Sequence, residues 1–326
     1  MSDNELDPRS PSLSRRTFLG ISAALGLTAL TGISLGGCDR AGHAGAGKGE
    51  KGKLAILAAE NTYGDVARQI GGSFADVTSV ISDPGADPHN FEITPSDAKI
   101  ISQALIVVEN GLSYDDWMDK MLASSERVDR TIISAQKVLK LPDDTQNPHL
   151  WYDPATMPQV AKTMAAALKK HDPDHASEYD KNLKTFSSSV ERYRSALADL
   201  GSQYPAASAA ATEPVANYML AAAGVTIKTP WSLQAAIMND QDPSAQDIGS
   251  QMKLLSDRQV DFFVYNEQVT SSLTKKFLDA AKEGGVPVVA VYETMPEHHD
   301  YASWMLAEVD AIKAALSKHE STTSLS

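Results

Sequence analysis

The chain has 326 residues, 42% hydrophobic and 22% charged, the proportions of a folded globular protein long enough for roughly two domains. A formal net charge of −13 argues against nucleic acid as a partner. The single cysteine, Cys38, removes disulfides and thiolate metal sites from consideration.

Residues 1–38 read as an address. Ser14-Arg15-Arg16-Thr17-Phe18-Leu19 precedes an apolar run, 21–35, that is short and ends at small residues, which predicts a twin-arginine export signal rather than a spanning helix. Leu35-Gly36-Gly37-Cys38 resembles a bacterial lipobox, so Cys38 is expected to become the lipidated first residue of the mature chain, the alternative being an idle buried thiol. Residues 39–52, dominated by Gly, Ala and Lys, predict a flexible tether.

The body opens with a short apolar strand, 53–59, then a helix over 65–70 stopped by Gly71-Gly72, and a second strand over 76–81. Thr94-Pro95-Ser96-Asp97 carries the capping pattern of a helix start. A strand over 105–108, the Asn110-Gly111 turn, a helix around Trp117 and Met121 and a weaker strand over 131–133 complete an alternating pattern, which implies a mainly parallel α/β sheet. From Asp153 the pattern becomes helical, with Pro154 expected at the first helical position. Met157, Ala161, Met164 and Leu168 recur at helical spacing, and after the break at Asp172-Pro173 so do Tyr179, Leu183, Phe186, Val190, Tyr193 and Leu197. So much helix predicts a rigid spacer. Alternation then resumes: strands over 207–212, 262–265 and 286–292, and helices over 214–223, 248–256, 273–282 and 301–317. The alanines of 207–212 give almost no β signal. The expected organisation is an α/β lobe over 53–153, a linking helical segment over 154–203 and a second α/β lobe over 204–326. No sequence repeat relates the lobes.

Two short stretches stand out. Asp87-Pro88-His89 precedes the helix start at Thr94, and Asn147-Pro148-His149-Leu150-Trp151-Tyr152-Asp153-Pro154 repeats the frame before another. Two Pro-His loops, each anchored to a helix N-terminus, look like two halves of one metal site. In open parallel sheets ligands bind beyond the carboxyl ends of the strands. The polar residues expected there are His89, His149, Glu213 and Glu293, two imidazoles and two carboxylates that can coordinate a divalent first-row metal across an interlobe cleft. Glu213 has a second reading, as an acidic residue beside the helix predicted from Pro214. His298-His299 are adjacent and point apart, which favours two solvated side chains over a chelate. Asn266-Glu267-Gln268 is expected to line the cleft, and Trp117, Trp151 and Trp231 to build core or cleft wall.

The mature chain resembles the solute-binding lipoproteins of zinc and manganese ABC importers. The resemblance rests on Asp87-Pro88-His89 through Asp97, Val107-Val108-Glu109-Asn110-Gly111-Leu112, Pro148-His149 through Pro154, Thr212-Glu213-Pro214 through Tyr218, and Glu293-Thr294-Met295-Pro296. It implies two α/β lobes joined by one long helix, with a single metal buried between them. His89 and His149 fall on the family's first two histidine ligands, and Glu213 falls where manganese-type members carry Glu and zinc-selective ones often carry His. Glu293 stands where Asp is commoner. The function expected is that of a non-enzymatic, monomeric receptor, lipid-anchored through Cys38 on the outer face of the bacterial cytoplasmic membrane. It would bind one Mn2+ or Zn2+ as cargo and hand it to a membrane permease. Two oxygen ligands favour manganese, although affinity order alone favours zinc. The rival readings are a metallohydrolase using the same ligands, for which no His-Glu-x-x-His spacing is present, and a surface adhesin or metal buffer without a permease.

Overall fold

The computed structural model describes residues 52–83, 91 and 94–325, with the backbone alone at 95–98. Cys38 and the Asp87-Pro88-His89 loop lie outside the described residues.

The first lobe runs β1 (Leu54–Glu60), α1 (Asn61–Gly71), β2 (Ala75–Ile81), α2 (Pro95–Gln103), β3 (Ile106–Glu109), α3 (Asp116–Ser124), β4 (Thr131–Ser134) and α4 (Ala135–Leu139). Its strands are all parallel, in the order β2-β1-β3-β4. Ile106, Val107 and Val108 are buried on both faces of the sheet, as unbroken apolar runs in parallel strands require. One face packs on α1 and on the helices that follow this lobe, and the other on α2 and α3.

The linking segment is two helices, α5 (Thr156–His171) and α6 (Ala176–Gln203). Between them Asp172, pushed off helical geometry at φ −143° by the ring of Pro173, closes α5 with its N–H on the Leu168 carbonyl. At 28 residues α6 is about 42 Å long. Tyr179, Phe186, Val190, Tyr193, Leu197 and Leu200 form its buried seam.

The second lobe runs β5 (Ser208–Ala211), α7 (Asn217–Ala222), β6 (Thr226–Ile227), α8 (Trp231–Met238), α9 (Ala245–Ser256), β7 (Phe262–Asn266), α10 (Ser272–Gly284), β8 (Val288–Val291) and α11 (Tyr301–Lys318). Its parallel sheet has the order β6-β5-β7-β8. The two sheets therefore share one topology that no sequence repeat announces. The α11 helix returns to the first lobe, where the Tyr301 N–H donates to Asp65 of α1 at 2.8 Å.

Some expected boundaries shift. Leu150–Tyr152 forms a 3-10 turn, and Asp153 accepts from the Ala155 N–H at 2.8 Å, so α5 begins at Thr156 and Pro154 stays outside it. Likewise α7 begins at Asn217 rather than Pro214. The short elements α4, β6 and α8 were not expected; each is too brief for periodicity to register.

Candidate metal centre

In both sheets the carboxyl ends of the strands carry the polar residues. Glu60 ends β1, Glu109 ends β3, Glu213 follows β5, Asn266 ends β7 and Glu293 follows β8. Four of them, with His149, are almost fully enclosed: Glu60 is 1% exposed, His149 0%, Glu213 2%, Asn266 0% and Glu293 1%.

His149 follows Pro148 in the loop between α4 and the 3-10 turn. Its backbone N–H donates to Asn147 Oδ1 at 3.1 Å, and the same oxygen lies 2.7 Å from His149 Nδ1. The Asn147 amide nitrogen donates to the Pro214 carbonyl at 2.9 Å, which fixes the amide's orientation and makes Oδ1 the atom facing the imidazole. An amide oxygen only accepts, so Nδ1 carries a proton, and in the neutral imidazole Nε2 is the nitrogen left with a lone pair. Fixing a tautomer through the distal nitrogen in this way is how metal-binding histidines are prepared. The loop is held from below: Asn110 Nδ2 donates to the Pro148 carbonyl at 2.9 Å, and Asn110 Oδ1 accepts from Tyr63 at 2.6 Å. Asn110 is placed by a tight turn in which the Asp115 carboxylate accepts from the N–H groups of Asn110 and Gly111, with Gly111 at φ +83°.

His149 Nε2 faces Glu293 Oε2 at 3.6 Å, from one lobe to the other. Tyr114 donates to the same carboxylate oxygen at 3.0 Å. Asn266 Nδ2 reaches Glu293 Oε1 at 2.8 Å and Glu213 Oε1 at 3.3 Å, so one amide bridges both carboxylates. The Glu293 loop is pinned by its main chain as well. Gln268 Oε1 accepts from the N–H groups of Glu293 and Thr294, and the Asn61 side chain pairs with both the N–H and the carbonyl of Met295 at 2.9 Å. Burial, together with the charge of Glu293, raises the Tyr114 phenol well above its ordinary range, so it stays a donor.

Of the four expected ligands, His149 faces Glu293 directly and Glu213 is joined to Glu293 through the Asn266 amide. The fourth, His89, is outside the described residues. Among the described residues no three His, Cys, Asp or Glu side chains stand in a ready-made metal shell. The helix-start reading of Glu213 loses its footing, since α7 starts four residues later and the carboxylate is turned onto Asn266. His298 is exposed, in left-handed geometry at φ 65°, and lies 4.0 Å from Glu297; with His299 it lines a groove beside Arg68 and Ser79. Glu267 is partly exposed. Trp151 and Trp117 are core, while Trp231 is only partly buried. Three contributors went unseen in the sequence. Asn147 sits beside the Pro-His frame and could have been found as its tautomer lock, whereas Tyr114 and Asn61 carry no local signal at all.

A two-lobed α/β protein with imidazole and carboxylates buried where its parallel sheets meet is a solute receptor by architecture, and its donor set suits a divalent cation. Residues 56–315 match the family model described as zinc-uptake complex component A, periplasmic (ZnuA), and the chain belongs to that family of metal ABC transporter substrate-binding proteins. Among relatives, the manganese ABC transporter substrate-binding lipoprotein PsaA of Streptococcus pneumoniae is 22% identical over 286 residues, covering 82% of this chain and 90% of that one. The iron-binding protein YfeA of Yersinia pestis is 28% identical over 160 residues, 47% of this chain and 51% of its own, so that match spans about half of each. Among solved structures, the periplasmic zinc binding protein TroA from Treponema pallidum superposes with a TM-score of 0.69 at 17% identity, over 82% of this chain and all of that one.

Proposed function

We propose that this protein is the solute-binding component of a divalent metal ABC importer, holding one cation between its lobes with His89, His149, Glu213 and Glu293 and delivering it to a membrane permease. The observation that carries the reading is the meeting of His149 Nε2, its tautomer fixed by Asn147, with the Glu293 carboxylate that Asn266 couples to Glu213. The working division is a first lobe over 53–153, a link over 154–203 and a second lobe over 204–326. Two imidazoles and two carboxylates suit Mn2+, while at equal supply Zn2+ would still bind tightly. The protein acts as a carrier rather than an enzyme: both carboxylates are held by fixed donors, Asn266 and Tyr114, which suits ligands better than a mobile general base. It works outside the cytoplasm, as a monomer anchored by lipid on Cys38.

Titration calorimetry with Mn2+ and with Zn2+ tests the site. His149→Ala should weaken both by orders of magnitude with the circular dichroism spectrum unchanged, and binding should fade in acid as imidazole is protonated. A variant that binds like the parent refutes the assignment. For the anchor, Cys38→Ala should move the protein from the membrane fraction to the soluble fraction of a bacterial host, and unchanged membrane retention would exclude lipidation there.

A further inference from the structure

Glu60 has no role in the site described so far, yet it is placed like a member of it. Alternation along β1 puts Leu54, Ile56, Ala58 and Glu60 on one face, and the first three are apolar core. Glu60 is the last residue of that row, on a central strand, beside the gap between β1 and β3 where the strand order reverses. Both of its carboxylate oxygens are buried, and neither has a hydrogen-bond partner among the described residues. A buried carboxyl in that condition is costly unless it is neutral or a cation compensates it. The titratable groups acting on it most strongly are Asp115 and Glu109, both acids, and no lysine or arginine stands among them. Tyr63 and Tyr114 also feel its charge.

Two observations tie this carboxyl to the cation site. Tyr114, which donates to Glu293, is influenced by the charges of both Glu293 and Glu60. Asn61, the next residue after Glu60, clasps the main chain of Met295, two residues beyond Glu293. The end of β1 and the Glu293 loop are therefore held against each other.

We propose that Glu60 is a further carboxylate of the cation site, contributing its charge to the ion that His149, Glu213 and Glu293 hold. The inference rests on the reading of those residues as ligands. Two imidazoles and two carboxylates just neutralise a divalent ion; a third carboxylate beside them favours the cation over the empty site and favours the harder, oxygen-preferring ion over the softer one. Burial and the neighbouring acids raise the Glu60 pKa and oppose a charge there. Arrival of the ion favours the ionised carboxylate, paired with the metal's charge, over the protonated acid, whose proton goes to solvent.

Calorimetry with Mn2+ alone, in two buffers of different ionisation enthalpy, gives both the affinity and the number of protons released. Glu60→Gln should weaken Mn2+ binding by about tenfold or more, the scale of outer-shell partners of metal sites. It should also weaken Zn2+ less, and lower the proton release. The metal-free thermal midpoint should hold or rise, because a neutral amide replaces an uncompensated acid; a purely structural Glu60 would lower it. Glu60→Asp, which keeps the charge, should retain the proton release, and it serves as the test if the glutamine variant does not fold. Parent-like affinity and proton count in Glu60→Gln, or a lost proton release in Glu60→Asp, overturn the inference. Should His149→Ala bind Mn2+ like the parent, the ligand assignment itself fails; with that control intact, a silent Glu60→Gln sinks only the role given to Glu60.

Discussion

At the scale of single residues the buried polar groups between the lobes, His149, Glu213 and Glu293, are each held by a fixed partner. Asn147 commits the His149 tautomer, and Asn266 holds two carboxylates that would otherwise repel one another. Glu213 is the position at which selectivity should respond. A carboxylate offers hard oxygen in one- or two-oxygen mode, which suits a larger, more highly coordinated ion; an imidazole offers a single borderline nitrogen. Glu213→His should therefore raise the ratio of zinc to manganese affinity, chiefly by weakening manganese, and competition between the two ions reads a tenfold shift as about 1.4 kcal/mol. An unchanged ratio would take Glu213 out of the ligand set. Glu213 and Glu293 were legible in the sequence because each closes a stretch read as strand and stands before a proline. Asn266 was visible only as a cleft-lining residue, since what it does depends on partners 53 and 27 positions away. Glu60 could not be read as special at all, because its two empty oxygens are a property of packing.

At the scale of elements, the alternation of strand and helix was legible because parallel strands buried on both faces must be continuous apolar runs. The weak point, the alanine strand β5, has a packing explanation. Ala209, Ala210 and Ala211 lie between β6 and β7 and are wholly buried, so the sheet is specified there by its neighbours rather than by β propensity. Small residues also set how closely helices approach. The C-terminal residue of α10, Gly284, sits against the end of α9, where a methyl group would lie 2.2 Å from the Leu255 carbonyl oxygen. That neighbour is main chain and cannot swing aside. Gly284→Ala should destabilise the second lobe by about 1–3 kcal/mol, the usual range for overpacking. Chemical denaturation would detect the loss as a lower midpoint at unchanged slope, and a parent-like midpoint would mean that α9 and α10 slide apart at little cost.

At the scale of the whole molecule the lobes are joined by more than the helical link. Tyr152 accepts from the Tyr292 N–H and lies within hydrogen-bond distance of both the Tyr292 carbonyl and Glu308. Glu308, on α11, accepts from the Trp304 indole at 3.1 Å and is fully buried, and burial pushes its pKa up to about 8. An acid whose pKa rises from about 4.5 on folding binds more protons in the native state, so its contribution to stability is complete below pH 4.5 and is lost as the pH climbs through about 8. Between those limits the loss is steepest at roughly 1.4 kcal/mol per pH unit. Glu308→Gln, which imitates the protonated acid, should flatten the fall in thermal midpoint between about pH 5 and 8; a slope identical to the parent's would place the titration elsewhere. The shared strand order of the two sheets was the feature least legible in the sequence, because topology is conserved by connection and hand rather than by residue identity.

The return of α11 to the first lobe bears on the order in which the chain can be built. Tyr301 donates its N–H to Asp65 and its hydroxyl to the Trp151 carbonyl, and its ring lies near Phe186, so the last helix supplies part of the cover for the earliest-synthesised half. A nascent chain can assemble the sheet from β1 to β4 as soon as Ser134 has emerged, but the apolar flank of α1 and α6 waits for residues beyond 300. Until then the growing polypeptide is a half-clad intermediate, and translation that stalls late would yield sticky fragments rather than a working smaller receptor.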